Sequence, residues 1–203
     1  MRSYEDPCGV ARALDLVGER WALLVVRELL YGPKRFTDLR AGLPGASQNV
    51  LSHRVRELEA AGVVERRKLG VPVRTTVYEL TERGHELKPV VAALGRWGSR
   101  AQLTSAGELS VDAFILALEV TYNGKRFDGA VQLRMGDDVF TIRSADGALE
   151  CARGQTAKPD AVITGDVETL RQALFAGGEL RDVTGHWQLA ERFAGLFPRP
   201  TTN

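Results

Sequence analysis

The chain has 203 residues, 44% of them hydrophobic and 26% charged, with 27 Lys plus Arg against 26 Asp plus Glu; that length buries one core or two without staples. Two widely separated cysteines, Cys8 and Cys151, fit neither a zinc pattern nor a disulfide framework; no apolar run approaches the roughly 20 residues of a membrane span, and the polar Met1 to Pro7 is unlike a secretion signal, so a cytoplasmic protein is expected. The near-neutral total conceals a split: residues 1–103 carry 17 basic against 12 acidic side chains and residues 104–203 carry 10 against 14, as expected if only the first half meets phosphate, although ordinary soluble domains also differ in this way.

In chain order, Val10, Ala13, Leu14 and Val17 fall at helical spacing, and Gly18 breaks that helix from a second one starting near Glu19. From Trp21 to Leu30 nearly every position is apolar, with Arg20, Arg27 and Glu28 as a narrow polar strip, so this helix is expected at the centre with Trp21 in the core. Gly32-Pro33 ends it, and Phe36, Leu39 and Leu43 place a short supporting helix over 36–43. After a turn at Leu43-Pro44-Gly45-Ala46 comes a helix over 47–61. It puts Val50 or Leu51, Val55 and Leu58 on one side and Gln48, Asn49, Ser52, His53 and Arg56 on the other. Those outward side chains are of the types that hydrogen-bond base edges and phosphates, and the major groove of DNA admits one helix.

Gly62 stops that helix, Val63 to Leu69 reads as a strand, Gly70 to Arg74 as a loop, and Thr75 to Leu80 as the returning strand. A hairpin rich in Arg and Lys beside a recognition helix reads as a wing lying on the phosphate backbone; without the helix pair it would read as a solvated charge run. Thr81 can cap a final helix with an apolar stripe of Leu87, Val90, Val91, Leu94, Trp97 and Ala101, kinked at Pro89. That stripe covers either its own core or the same helix of a second copy, and a homodimer matching two-fold half-sites on double-stranded DNA is the favoured reading.

Together, Cys8, Glu19-Arg20-Trp21, Gly32-Pro33-Lys34-Arg35-Phe36, Leu43-Pro44-Gly45, Ser47 with Asn49-Val50-Leu51, Arg54 with Glu57-Leu58, Ala61-Gly62 and Tyr78-Glu79-Leu80-Thr81 with Gly84 resemble the HxlR-type winged helix-turn-helix transcription regulators over residues 7–100. The resemblance implies a homodimer, joined through the first and last helices, that binds a short inverted repeat. It also implies that Ser47, Gln48, Asn49, Ser52, His53 and Arg54 face the groove or its edges, with Arg66, Arg67, Lys68 and Arg74 near the backbone. Lys34, Arg35 and Arg56 complete the DNA-binding candidates. The family often has a double proline in the wing, whereas this chain has Pro72 alone. Cys8 is a candidate redox site by resemblance to regulators that sense oxidants or electrophiles there, and Arg12 is one helical turn on; a buried, inert cysteine is the competing reading.

The acidic half, expected over residues 108–203 after a Thr104 to Gly107 linker that closes a first domain at 103, opens with a helix carrying Val111, Phe114, Ile115 and Leu118. Strands are expected at 130–135, 139–143, 149–152 and 161–164, then a helix over 167–175, a break at Gly177-Gly178 and a last helix with Leu189, Phe193, Leu196 and Phe197. An antiparallel meander with helices before and after it makes this half an α+β domain, an antiparallel sheet covered by helices, and the whole chain α+β. The order, and especially Asp160-Ala161-Val162-Ile163-Thr164-Gly165-Asp166 followed by a Leu-rich helix, resembles the sterol carrier protein type 2-like fold over residues 108–197, which implies an apolar cavity for a hydrophobic small-molecule effector. Candidate wall residues are Phe114, Leu118, Phe140, Ile142, Leu174, Phe193 and Phe197, each equally explained as core.

No catalytic set, cofactor fingerprint or metal spacing is present: His53, His85 and His186 lie in separate elements, and Asp137-Asp138 reads as a turn. The expectation is therefore a DNA-binding regulator rather than an enzyme. The alternative is a hydrophobe carrier whose first half serves dimerisation; an enzyme acting on an apolar substrate is the weakest class.

Overall fold

The computed structural model describes residues 3–70, 75–99 and 107–197. Its contacts divide the chain into two units, Met1–Val91 and Ala92–Asn203, each described by itself below. The expected linker at 104–107 lies largely outside the described residues, as do Arg74 and Ala101.

The first unit contains helices α1 (Gly9–Val17), α2 (Ala22–Leu29), α3 (Phe36–Gly42) and α4 (Gln48–Ala60), strands β1 (Val64–Leu69) and β2 (Thr75–Leu80), a one-turn helix α5 (Glu82–His85) and the start of α6 (Lys88–Gly98). β1 and β2 pair antiparallel from Val64↔Leu80 to Leu69↔Thr75. Lys34 adds a third short edge, exchanging backbone hydrogen bonds with Tyr78 at 2.9 and 2.8 Å, and Phe36 meets the Tyr78 ring edge-on. The core is the apolar face of α2 (Val25, Val26, Leu29) with Leu39 of α3, Leu51, Val55 and Leu58 of α4 and Val64, Val77 and Leu80 of the hairpin, all buried. On the helices these are the i, i+3 and i+4 positions of one face, while the hairpin buries only Val64, Val77 and Leu80, without strict alternation.

Two expectations change here. Trp21 is not a core residue of α2 but its N-cap, held in the left-handed region at φ 78° and partly exposed. For an aromatic residue this conformation costs about 1 kcal/mol or more and persists only where the surroundings enforce it. The single kinked helix after Thr81 is two helices, with Glu86-Leu87 between them. Pro89 sits in the first turn of α6, where its missing N–H is not needed, and the break falls before it rather than as a bend within one helix.

The second unit holds α7 (Val111–Thr121), β3 (Val131–Met135), β4 (Asp138–Ala145), β5 (Ala148–Arg153), β6 (Ala161–Thr164), α8 (Val167–Phe175), β7 (Asp182–Gly185) and α9 (Trp187–Ala194). The sheet order is β5-β4-β3-β6-β7. It is mixed rather than antiparallel, because β6 runs parallel to β3, Val131↔Ala161 through Arg134↔Thr164. The short edge strand β7, paired to β6, is absent from the sequence reading; Asp182 and Gly185 at its ends leave only Val183 and Thr184 as strand formers.

Parallel pairing requires a crossover from β5 to β6, usually a dozen or more residues. Here residues 154–160 suffice. They are tied down as they pass: the Thr141 hydroxyl donates to the Gly154 carbonyl at 3.0 Å, an Arg143 guanidinium N–H to Thr156 Oγ1 at 3.4 Å, and the Ala130 N–H to Asp160 Oδ2 at 2.8 Å. Val131, Leu133, Phe140, Ile142, Ala161 and Ile163 fill the other sheet face, against α9 on β3, β6 and β7 and α7 on β5.

Candidate nucleic-acid interface

α4 begins because Ser47 caps it: its Oγ accepts the Val50 N–H at 3.4 Å. It ends because Gly62 takes φ +67°, a left-handed stop that favours glycine. Between them, Leu51, Val55 and Leu58 are buried, while Ser47, Gln48, Asn49, His53 and Arg56 are exposed and Ser52 is half-buried. Of the two alternatives at the start of the apolar face, Leu51 takes the core position and Val50 stays outside. The exposed face therefore carries two carboxamides, hydroxyls, an imidazole and a guanidinium, which pair with base edges and phosphates in a groove.

Around the N-terminus of α4, Thr37, Arg40, Ala41 and Pro44 to Gln48 border an open hollow of about 700 Å³. Arg40 reaches Gln48 Oε1 at 3.4 Å. Thr37 and Arg40 were missed from the sequence, although the Phe36, Leu39, Leu43 spacing already left 37 and 40 on the outer face of α3. Arg35 is exposed and its N–H donates to Asp38 Oδ2 at 3.2 Å, fixing the first turn of α3.

Three basic candidates are not free cations. Arg54 is 8% exposed; it bonds to the Glu57 carboxylate and approaches Glu19 at 3.5 Å, so it belongs to the buried side of α4 rather than to its groove-facing edge. Helical spacing explains this: Arg54 follows Leu51 by three residues and precedes Leu58 by four, which places it on the packed side. Lys34 Nζ lies 2.8 Å from Glu28 Oε2, and Arg27 lies 2.9 Å from the other oxygen. Glu28 is fully buried, and these charge-assisted bonds are what make a buried carboxylate tolerable. Arg67 is exposed but forms a two-pronged pair with Glu79 across the hairpin; that hydrogen bonding and the neighbouring negative charge raise the guanidinium pKa further. Arg66 and Lys68, both exposed on β1, leave the wing cationic.

Outside this surface the two exposed apolar patches of note are Val10 and Leu14 on α1 and Val90, Leu94 and Trp97 on α6, with Trp97 77% exposed. Val90, Leu94 and Trp97 follow i, i+4, i+7 and so form one stripe. Cys8 is exposed and free at the N-cap of α1, its N–H on Asp6 Oδ1 at 2.8 Å.

In the second unit the seven candidate wall residues, Phe114, Leu118, Phe140, Ile142, Leu174, Phe193 and Phe197, are all buried. Several pack ring on ring: Phe114 and Phe197 each meet Phe175 edge-on, and Phe193 meets Phe127 and Phe197. Arg153 stacks over the Phe140 ring at 4.5 Å and bonds to Asp112, which is 1% exposed, at 2.8 Å, as well as to Asp138. Among the described residues no group of three or more His, Cys, Asp and Glu could hold a metal ion, and no helix is long and apolar enough to cross a membrane.

Residues 16–105 match the model of the HxlR-like helix-turn-helix family. YvaP of Bacillus subtilis (strain 168), named an uncharacterized HTH-type transcriptional regulator, is 40% identical over 89 residues, 43% of this chain and 82% of that protein. YodB of the same organism, also named an HTH-type transcriptional regulator, is 36% identical over 88 residues, 43% of this chain and 79% of that protein. Among solved structures, the redox regulator HypR in its oxidized form is 34% identical, covering 47% of this chain and 98% of its own, at a TM-score of 0.43. On this sequence similarity the chain belongs to the HxlR-like helix-turn-helix family.

Proposed function

We propose that the chain is a transcriptional regulator whose homodimer binds an inverted-repeat operator, with α4 in the major groove and the β1–β2 hairpin along the backbone. The polar outer face of α4 carries this reading: Gln48 and Asn49 suit adenine edges, Arg56 suits guanine or phosphate, and Ser47, Ser52 and His53 suit either. Arg35, Arg40, Arg66 and Lys68 serve as phosphate contacts, with Arg74 joining them by its place in the sequence. Lys34 and Arg54 act one step back, holding the scaffold that presents α4. The transcriptional-regulator names of the relatives agree with this assignment.

The dimer rests on the exposed stripe of α6, Val90, Leu94 and Trp97, and separately on Val10 and Leu14 of α1, since apolar side chains left in water mark association surfaces. Two-fold pairing then matches a two-fold operator. Cys8, exposed at the head of α1, is where an oxidant or electrophile would act on that surface. The second unit serves as the receiver of a hydrophobic effector; because its candidate wall residues are close-packed, entry requires α7 or α9 to part from the sheet. The reading is tested by sedimentation of the Leu94→Glu/Trp97→Glu double variant. Monomers with weakened DNA binding are expected; an unaltered dimer would remove this stripe from the interface.

A further inference from the structure

The hollow between α1 and α5 belongs neither to the polar face of α4 nor to the exposed apolar stripes. It encloses about 390 Å³ and is lined by Gly9, Arg12, Ala13, Leu16 and Val17 of α1 with Val63, Arg83, Glu86 and Leu87. That volume lies in the range of small-molecule sites. Of its lining, Leu16, Val17, Val63 and Leu87 are buried or half-buried, while Arg12, Arg83 and Glu86 are exposed, so its solvent-facing charges are two guanidiniums and one carboxylate. The Arg12 side chain is exposed and has no hydrogen-bond or ion-pair partner among the described residues.

Along α1, the lining residues Gly9, Arg12, Ala13, Leu16 and Val17 centre roughly 110° from Val10 and Leu14 at about 100° per residue, so a second copy seated on Val10 and Leu14 leaves most of this face open. Arg83 also donates from Nη1 to the Ala61 carbonyl at 3.2 Å, and Ala61 is the C-cap of α4. One guanidinium thus faces the hollow and closes the end of the recognition helix.

We propose that this hollow binds a small amphipathic carboxylate, its apolar tail on Leu16, Val17, Val63 and Leu87 and its anion between Arg12 and Arg83, and that occupancy is felt at the C-terminus of α4 through Arg83. A carboxylate is favoured over a neutral hydrophobe because a rim with two guanidiniums offers charge-assisted, bidentate hydrogen bonds. Binding to the hollow stands independently of the operator reading; only the consequence for DNA rests on it, so the two fail separately.

The test uses the full-length chain titrated with octanoate and, separately, with its neutral counterpart 1-octanol, read by backbone ¹H–¹⁵N shifts. Octanoate is expected to move the amides of Ala13, Leu16, Val63 and Leu87 together with Ala61 and Gly62, and 1-octanol to bind at least about tenfold more weakly. Arg12→Gln is expected to weaken octanoate about tenfold, and Ala13→Leu, which fills the hollow from an exposed position, to abolish binding with an unchanged melting temperature. If Arg83→Gln loosens the end of α4 enough to unfold the protein, Arg12→Gln and Ala13→Leu decide alone. Equal binding of acid and alcohol, shifts centred on Val10 and Leu14, or octanoate binding that vanishes as the protein concentration is raised would each overturn the proposal, the last by giving the hollow to a second copy.

Discussion

The indole of Trp21 lies directly against Gly45: a methyl group at Gly45 would stand 2.9 Å from Trp21 Cη2. The left-handed residue that starts α2 is thereby locked onto the turn that launches the recognition helix. Arg20 stacks on the same ring at 5.2 Å, which keeps the indole from swinging into solvent.

Gly45→Ala should therefore destabilise the first unit by about 1–3 kcal/mol, the usual cost of forcing atoms into a packed contact. In Gly45→Ala/Trp21→Ala that cost should largely disappear, because the second change removes the obstruction. A double-mutant cycle by urea denaturation measures it; additive effects would show that ring and turn are not coupled.

Arg54→Ala should lower stability by about 1–2 kcal/mol, by removing the guanidinium partner of Glu57 and opening the packed side of α4. Its effect on DNA binding should follow from that loss. Differential scanning calorimetry beside binding at a temperature well below melting distinguishes the two: weakened binding with unchanged stability would return Arg54 to the groove-facing set.

Glu28→Ala should cost about 3 kcal/mol or more, since it leaves Lys34 and Arg27 without the buried carboxylate that they neutralise. Gly42→Ala should be harmful through the same group, as its new methyl would fall 2.1 Å from Glu28 Oε2. Chemical denaturation of both single variants and the double should reveal strong non-additivity; independent effects would contradict a shared site.

Much of the first unit was legible in the sequence because its helices and hairpin carry their own signals. Apolar spacing marked the core, Ser47 and Gly62 marked the ends of α4, and Pro44-Gly45 marked the turn. What sequence spacing could not supply was pairing between distant residues. Lys34 and Arg67 read as free cations because Glu28 and Glu79 meet them only after folding; for Arg54 the signal was local, Glu57 one helical turn on. Trp21 read as core because neither its left-handed backbone nor its contact with Gly45, 24 positions on, is marked in the local spacing. In the second unit, alternation located four strands but not the parallel β3–β6 pairing, which depends on the route of residues 154–160.

Glu168 supplies a pH test. Hydrogen bonds from Arg171 and then Gln172 pull its carboxyl down to about 2, and the Arg171–Glu168 pair spans one turn of α8. A depressed carboxyl contributes stability above its ordinary range near 4.5 and loses it as pH falls toward 2. The side-chain carboxyl ¹³C resonance of Glu168 should titrate near 2 in the wild type and move up toward the ordinary value in Arg171→Ala. A wild-type midpoint already at 4 or above would remove the interaction.

Glu79→Gln should release Arg67 to phosphate, strengthening DNA binding and steepening the slope of log affinity against log salt by up to about one unit. Fluorescence anisotropy over a salt series reads both. An unchanged slope would mean that Arg67 does not reach the backbone.

The measurement that bears most directly on the whole account is selection of binding sites from a random pool of duplex DNA by the purified full-length chain, run beside Gln48→Ala/Asn49→Ala. The wild type should enrich an inverted repeat with half-sites about one helical turn apart, and the double variant should lose or relax the bases at matching positions in each half. No enrichment over a protein-free control, or the same motif from both proteins, would contradict the assignment of α4 as the element that reads DNA.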